Sequence, residues 1–315
     1  MSTTSTPTTK LDETDFEKIH EFTITLAKQA GKMILEGSTK RTQQGSTLGQ
    51  PEIKKNRVDL VTEVDQAVEE FIKSEISKQF PQFKFIGEES FAGGERVDLT
   101  DEPTFICDPI DGTTNFVHAI DFVCCSIGFC YKQIPVIGVI YNPFLDKLYS
   151  ARKGKGAFLN ESIRLPFSHP SIPPPLDSLS DAVVGVEWGS DRSSKVIEKK
   201  GNTFMKLAGD GKQIKGGKMV HSLRSIGSAA LNYAFTAAGQ LDLYWEIGCW
   251  SWDVCAGTII AREAGAKVYG RGGKEFEPQD LMGHHFFVVR AMEGGEEAQN
   301  KIAKEFFETC EEYDA

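Results

Sequence analysis

The segment from Phe122 to Ala151 constrains the fold most, because it contains three strand-like apolar runs separated only by short turns. The runs are 122–130, 136–141 and 147–151, and the turns contain Gln133-Ile-Pro and Asn142-Pro-Phe. Shorter β patterns precede them at 83–86 and 105–107. Such compact spacing favours an antiparallel meander over alternating βαβ units.

Helical periodicity marks two segments ahead of this meander. Apolar residues predict a first helix over 16–35, with Thr14 and Glu17 as its capping box, and a second over about 64–79. Farther along, strand patterns at 182–186, 241–245 and 285–289 alternate with helical patterns at 225–238, 252–264 and 297–307. Because the first two helices and the antiparallel strands of the meander come in blocks, the sequence predicts an α+β fold of two sheets layered with helices rather than a doubly wound sheet.

The chain has 315 residues, of which 40% are hydrophobic, and this predicts one large domain or two intimately packed subdomains. Residues 1–11 are rich in Ser and Thr and predict a flexible tail. The domain is expected over 12–310, with subdomains of about 12–165 and 180–310 on either side of a Pro- and Ser-rich surface loop at 168–180. Residues 311–315 predict a solvated acidic tail.

The formal charge of −10 and the lack of a basic stripe argue against nucleic acid as a partner. No segment reaches the roughly 20 apolar residues that cross a bilayer, and the first residues lack the apolar core of a signal peptide. We therefore expect a cytoplasmic protein that does not contact membranes. The seven cysteines never form C-x-x-C and predict buried reduced thiols rather than zinc ligands.

Two carboxylates, Asp108 and Asp111, come directly after the apolar run that ends at Cys107. The run predicts a buried strand, Asp111-Gly112 predicts a turn, and Thr113 or Thr114 is placed to cap a following helix. At the carboxyl end of a strand, free backbone N–H groups can bind an anion. The arrangement suits a divalent cation that holds a phosphate, although Asp-Pro and Asp-Gly are also common turn dipeptides.

Three further acidic segments are Asp59-Leu-Val-Thr-Glu-Val-Asp65, Gly87-Glu-Glu-Ser90 and Trp252-Asp-Val-Cys-Ala-Gly257. In this order, together with residues 108–116, they resemble the inositol monophosphatase family of metal-dependent, lithium-sensitive phosphatases. The resemblance extends from about residue 16 to about residue 290. It implies a five-layered αβαβα sandwich of the sugar phosphatase type, usually assembled as a homodimer.

If Glu88, Asp108, Asp111 and Asp253 converge, charges about 4 Å apart repel by about 4 kcal/mol at an effective dielectric constant near 20. Either some of the carboxyls are protonated or cations neutralise them. Because the ligands are all oxygens, Mg²⁺ is the favoured metal and Mn²⁺ the next.

The resemblance also implies individual metal ligands. Glu88, Asp108 and the backbone carbonyl of Ile110 would form one metal site. Asp108, Asp111 and Asp253 would form a second, with Asp108 as the bridge, and a third, weaker ion would bind near Glu88. Asp253 also fits a helix N-terminal carboxylate that the helix dipole stabilises, and the two roles are compatible.

For catalysis, the resemblance pairs Thr113 with Asp65 to orient the attacking water, beside Glu88. The alternative for Asp65 is a capping box with Thr62. Lys54 matches a mobile loop near the metals, or is simply an exposed loop lysine.

For the substrate, backbone N–H groups after Asp111 are expected to hold the phosphate. Glu246 matches the position that binds inositol hydroxyls, with an edge-strand surface residue as the alternative. The complete substrate-binding prediction is Glu88, Asp111, Gly112, Thr113, Thr114, Gly227, Ser228, Ala229, Glu246 and Asp253.

These features predict a Mg²⁺-dependent phosphomonoesterase that hydrolyses myo-inositol monophosphate with an activated water. The motifs of phosphatases that form a phosphoenzyme, Asp-x-Asp and Cys-x5-Arg, are absent from the sequence. The alternative substrates are galactose 1-phosphate, a bisphosphate nucleotide or an ester related to the quinate pathway. A non-catalytic regulator that retains the fold is the alternative from another functional class.

Overall fold

The computed structural model describes residues 10–44, 52–53 and 60–314. Their helices are α1 (Glu13–Gln44), α2 (Glu63–Gln79), α3 (Glu88–Ala92), α4 (Thr113–Val117), α5 (Ser194–Ala208), α6 (Ala229–Ala238), α7 (Ser251–Glu263) and α8 (Gly295–Phe307). Their strands are β1 (Glu52–Ile53), β2 (Leu60–Val61), β3 (Lys84–Gly87), β4 (Thr104–Asp111), β5 (Cys124–Tyr131), β6 (Ile134–Asn142), β7 (Lys147–Arg152), β8 (Gly156–Leu159), β9 (Ile163–Arg164), β10 (Val183–Val186), β11 (Ser222–Arg224), β12 (Leu243–Ile247), β13 (Lys267–Tyr269) and β14 (His285–Val289).

Two large sheets and three helical layers form the molecule. The first sheet has the order β3-β4-β5-β6-β7-β8-β9, in which β3 and β4 are parallel and the other neighbours antiparallel. The second has the order β11-β10-β12-β14-β13. Helices α1 and α2 cover the outer face of the first sheet, α6 and α7 lie between the sheets, and α5 and α8 cover the second. The predicted αβαβα sandwich and the meander within it are thus confirmed.

Helix α7 lies close to the first sheet because two glycines face it. A Cβ atom on Gly128 would come within 2.8 Å of Cys255 Cβ, and one on Gly138 within 2.6 Å of Ile259 Cγ2. On β5, alternate side chains pack toward α1 and α2 or toward α7, so both faces of the sheet are buried. This close packing brings the first turn of α7 to the end of β4.

Several predicted element boundaries were wrong. Helix α1 begins at Glu13 rather than Phe16, because Asp12 and Asp15 each accept a hydrogen bond from the other's backbone N–H group, which replaces the predicted Thr14 and Glu17 box. Helix α6 begins only at Ala229, since the chain first forms β11 and a loop. Helix α5 was not predicted, because its buried face carries Lys200 as well as apolar residues.

Of the two predicted tails, only the second can be compared with the structure over most of its length. Residues 1–9 of the predicted flexible tail, and Lys54, lie outside the described residues. Residues 311–314 are not a solvated acidic tail, because Tyr313 is buried and its hydroxyl donates to the Ile247 carbonyl across 3.0 Å. The loop 168–180 connects the last strand of the first sheet to the first strand of the second. A subdomain boundary there stays a prediction.

All seven cysteines are free thiols, as predicted, and six of them are buried. Across the described ranges, no helix combines the length and the apolar character needed to cross a membrane.

Candidate active site

Three acidic side chains from two elements meet where β4 ends and α7 begins. Asp108 and Asp111 belong to the end of β4, and Asp253 lies in the first turn of α7. One carboxylate oxygen of each lies within 4.8 Å of those of the other two. Asp108 and Asp111 are buried, so their charges interact with little screening by solvent.

A β-bulge places Asp108 and Asp111 on the same face of the sheet. Asp108 pairs with Ser126 and Asp111 with Cys124, so three steps along β4 match two steps along β5. Because side chains alternate along a regular strand, residues three apart would otherwise point to opposite faces. Ile110 points to the opposite side, into the core under α1 and α2, and its N–H donates to Asp108 Oδ1 across 2.9 Å.

Each carboxylate of the cluster is anchored by donors of the chain. Asp111 Oδ2 accepts hydrogen bonds from the Ser228 hydroxyl and the Ala230 N–H, both at 2.6 Å. Asp253 Oδ2 accepts from the Trp250 N–H across 2.7 Å, so the predicted helix N-terminal role of Asp253 is also present. These bonds fix the orientation of the carboxylates toward one another.

Burial raises the pKa of Asp108 and of Asp253 well above the usual range of a carboxyl, and neighbouring negative charges raise both further. Burial likewise raises the pKa of Asp111 to about 7, although its donors Ser228 and Ala230 act in the opposite direction. Three carboxylates this close cannot all stay ionised unless something neutralises their charge. A divalent cation would neutralise it, so the donor set fits an oxygen-liganded metal.

Glu88 lies beside this cluster rather than within the group of three. It opens α3, lines the same cavity, and its charge raises the pKa of Asp108, Asp111 and Asp253. Glu89, the next residue, also lies in α3. Glu69, which sequence reasoning missed, holds this helix: its two oxygens accept from the N–H groups of Glu89 and Ser90 at 2.7 and 2.6 Å.

Thr113 and Asp65 form the pair that the sequence suggested. The Thr113 hydroxyl lies 3.1 Å from Asp65 Oδ1 and also 3.1 Å from the Ile110 carbonyl oxygen. Asp65 Oδ2 accepts from the Thr62 N–H across 2.9 Å, so the predicted capping box is present at the same time. Burial raises the pKa of Asp65 to about 6.

Neither Thr113 nor Thr114 caps α4, which corrects the sequence prediction. The N-cap is Gly112, in the left-handed region at a φ of 93°. A Cβ atom there would lie 2.7 Å from the Phe122 carbonyl oxygen, so this close turn needs glycine. Asn115, for which no role was predicted, supports the turn. Its side-chain amide donates to the carbonyls of Phe122 and Ile226 at 2.8 and 2.7 Å.

A cavity of about 530 Å³ opens above the carboxylates. Most of the predicted substrate-binding residues line it, namely Glu88, Asp111, Thr114, Gly227, Ser228, Ala229, Glu246 and Asp253. Gly112 and Thr113 lie between two of these residues in the chain. The lining also includes residues without a predicted role, among them Glu187 and Arg192. In the sequence, only their position shortly after the strand-like run 182–186 could have indicated a place near the site.

Glu246 lies on β12, the central strand of the second sheet, and is 8% exposed. Its Oε2 accepts a hydrogen bond from the Tyr244 hydroxyl. The alternative that Glu246 is a surface residue of an edge strand is therefore wrong.

The fold of two sheets layered with helices is shared with a solved structure. The extragenic suppressor protein suhB from Bartonella henselae matches with a TM-score of 0.71 and 29% identity, over 92% of this chain and 98% of that chain. The profile described as the inositol monophosphatase family matches residues 15–311. The protein belongs to the inositol monophosphatase family.

Two similar relatives carry different names. Inositol monophosphatase 2 of Saccharomyces cerevisiae is 42% identical over 237 residues, which cover 74% of this chain and 77% of the yeast protein. The quinic acid degradation cluster protein x of Neurospora crassa is 39% identical over 285 residues, 85% of this chain and 82% of its own length. Similarity to these relatives does not select one substrate.

Proposed function

We propose that this protein is a Mg²⁺-dependent phosphomonoesterase that hydrolyses myo-inositol monophosphate to inositol and phosphate. The observation that carries the proposal is the group formed by Asp108, Asp111 and Asp253, whose carboxylate oxygens lie within 4.8 Å of one another beside a cavity. Family membership and the yeast relative's name support the phosphatase activity and the inositol substrate.

The ligands proposed for Mg²⁺ are Asp108, Asp111 and Asp253, together with Glu88 and the Ile110 carbonyl. All are oxygen donors, which Mg²⁺ prefers. When bound, the ion polarises phosphoryl oxygens and favours ionisation of water at neutral pH.

The proposed role of Thr113 and Asp65 is to position the attacking water. When the Thr113 hydroxyl donates to Asp65 Oδ1, the lone pairs of Thr113 Oγ1 remain available to accept a hydrogen bond from a water. With a pKa of about 6, Asp65 is mostly ionised at neutral pH and can take a proton. Backbone N–H groups of Gly112, Thr113 and Thr114 are proposed to hold the phosphate.

Glu246 is the residue proposed to bind the alcohol half of the ester. It lines the cavity from the second sheet, across from the carboxylates of the first. A buried carboxylate there selects hydroxyl donors, because Tyr244 donates to only one of its oxygens and an ester without hydroxyls offers no donor to the other. The Neurospora relative's name makes a phosphate ester of the quinate pathway the second candidate substrate.

A phosphate-release assay tests the proposal. The substrates are inositol 1- and 4-phosphates, galactose 1-phosphate, fructose 1,6-bisphosphate and adenosine 3′,5′-bisphosphate, each with Mg²⁺ and with EDTA. We expect the inositol phosphates to be hydrolysed fastest and EDTA to abolish hydrolysis. Absence of release from every ester, together with normal Mg²⁺ binding, would favour the regulator instead.

Three further properties are part of the proposal: inhibition by lithium, assembly as a homodimer and a cytoplasmic location. Lithium titration of the assay, light scattering and cell fractionation test them respectively.

A further inference from the structure

We propose that Glu187 is a second carboxylate that binds the alcohol half of the substrate, so that Glu187 and Glu246 together select esters carrying two neighbouring hydroxyl groups. This inference rests on the proposed function, because it names a further contact in the same cavity.

Glu187 and Glu246 are neighbours because of strand register. Strands β10 and β12 are parallel, and Val186, the last residue of β10, pairs with Trp245. Glu187 directly follows β10, and Glu246 is the residue after Trp245 on β12. Adjacent strands lie roughly 5 Å apart. Both side chains line the cavity, and both residues are 8% exposed.

The two oxygens of Glu187 have different surroundings. Oε1 accepts three hydrogen bonds, from the N–H groups of Ile226 and Gly227 at 2.7 and 2.9 Å and from the Asn232 amide at 2.9 Å. Oε2 accepts none from the residues that the structure describes. Through Oε1, Glu187 holds the loop before α6, and its second oxygen is left for a donor from the cavity.

A ligand that fills the cavity excludes water from an oxygen that faces it, which is costly unless the ligand supplies a donor such as a hydroxyl. Charge decides which kind of donor fits. Gly189 marks how close the two groups are. A Cβ atom added to this glycine would lie 3.0 Å from the Lys200 ammonium and 3.7 Å from Glu246 Oε1. A buried cation is therefore already next to this pair of carboxylates.

Lys200 is held there by the backbone that forms the cavity wall. Its ammonium donates to the carbonyls of Glu187 and Trp188 at 3.0 and 2.7 Å. Because Lys200 supplies the positive charge, the cavity needs neutral hydrogen-bond donors more than a further cation. Neighbouring hydroxyls of a polyol are such donors, and two adjacent carboxylates can accept from both.

The substitution Glu187→Gln distinguishes a role of Glu187 in substrate binding from its role in holding the loop before α6. The glutamine carbonyl oxygen can still accept the hydrogen bonds from Ile226, Gly227 and Asn232. An NH₂ group replaces Oε2 and cannot accept a hydrogen bond from a hydroxyl group. We would measure kcat and KM for inositol 1-phosphate and for phenyl phosphate, which has no free hydroxyl on its alcohol half, with Mg²⁺ present. Thermal unfolding of both proteins would report on the fold.

We expect the ratio of kcat/KM for inositol 1-phosphate to that for phenyl phosphate to fall at least tenfold in Glu187→Gln, without a lower Tm. The matched control is Glu263→Gln. Glu263 accepts from the N–H groups of Gly154 and Gly156, both at 2.7 Å, and does not line this cavity. Its ratio should equal that of the wild type.

An unchanged ratio in Glu187→Gln, or a parallel loss for both esters with a lower Tm, would show that Glu187 is only structural and would overturn the inference. If the wild-type protein hydrolyses neither ester, the proposed function fails instead. Calorimetric binding of inositol 1-phosphate then tests Glu187 without turnover: at least tenfold weaker binding by Glu187→Gln supports the inference, and equal binding overturns it.

Discussion

The Thr113 hydroxyl donates to Asp65 Oδ1 across 3.1 Å, although 48 positions separate the two residues in the chain. The bond joins the first turn of α2 to the turn that follows β4. Since Asp65 also accepts from Thr62, the cap of a helix holds the proposed water-positioning pair in place.

The first prediction concerns this pair. In Thr113→Ala, kcat should fall by roughly 10² to 10⁴, the usual contribution of acid–base groups, with a smaller change in KM. Thr113→Ser keeps the hydroxyl and should recover most of the rate. Steady-state kinetics measure both variants, and a wild-type kcat in Thr113→Ala would remove the pair from catalysis.

Thr62→Ala is the control for stability. It removes the hydroxyl that accepts from the Val64 N–H at 3.2 Å, so it should cost about 1 kcal/mol of stability, as the loss of a helix cap does. Its turnover should fall less than that of Thr113→Ala, because Thr113 keeps Asp65 as its partner and only the other oxygen of Asp65 loses the Thr62 hydroxyl as a donor.

Metal binding is the second prediction. Saturating Mg²⁺ at about 100 times its Kd should stabilise the wild-type protein by about 2.7 kcal/mol, seen as a higher Tm. Asp108→Asn removes one carboxylate of the group and should lose most of this shift, and its turnover should drop by orders of magnitude. Asp146 is exposed and lies outside the group of three carboxylates, so Asp146→Asn is the control and should keep the full Mg²⁺-dependent rise in Tm. A normal shift and near-normal activity in Asp108→Asn would refute the assigned site.

The third prediction concerns substrate preference. Glu246→Gln should reduce the preference for inositol 1-phosphate over phenyl phosphate roughly tenfold, because a hydroxyl loses its charged acceptor. The same pair of assays measures it. If the substrate profile stays that of the wild type, Glu246 does not contact the alcohol.

The fourth prediction compares two glycines. Gly138→Ala should destabilise the protein by roughly 1–3 kcal/mol, since the added methyl group would lie 2.6 Å from Ile259 Cγ2 and push α7 away from the sheet. Gly201, inside α5, has no atom within 4 Å of the Cβ position, so Gly201→Ala should stabilise by about 0.5–1 kcal/mol. Urea unfolding measures both, and changes of the same sign would contradict the packing argument.

Gly138→Ala should also weaken the Mg²⁺-dependent rise in Tm, because α7 carries Asp253. An unchanged rise would mean that α7 keeps its position.

The fifth prediction is a pH dependence of stability. Burial lowers the pKa of His20 to about 4, and the nearby Arg152 lowers it further, so the folded protein holds a neutral imidazole. The unfolded chain takes up the proton near pH 6.5, so His20 leaves stability unaffected above pH 6.5 and reduces it by up to about 3 kcal/mol as the pH falls toward 4. His20→Gln should lose less stability than the wild type between pH 7.5 and 5 in urea unfolding. Equal losses would show that His20 does not titrate in this way.

Local patterns account for the parts that were predicted from sequence. The periodicity of α2 and its Thr62–Asp65 cap depend on residues a few positions apart, so they could be read directly. The resemblance of the acidic segments supplied the five layers. The same reasoning missed α5, because a buried Lys200 interrupts the apolar stripe and only its partners on the 187–188 backbone explain it.

Taken alone, then, the sequence determined the main helices and strands of the first sheet, the acidic segments and the family. The tertiary structure alone decided that Asp111 faces the same way as Asp108, that α7 comes close enough to bring Asp253 to them, and that Glu187 lies beside Glu246. A bulge, a glycine contact and a strand register are relations between distant segments. The identity of a residue and its near neighbours does not specify them, because they depend on which surfaces pack together.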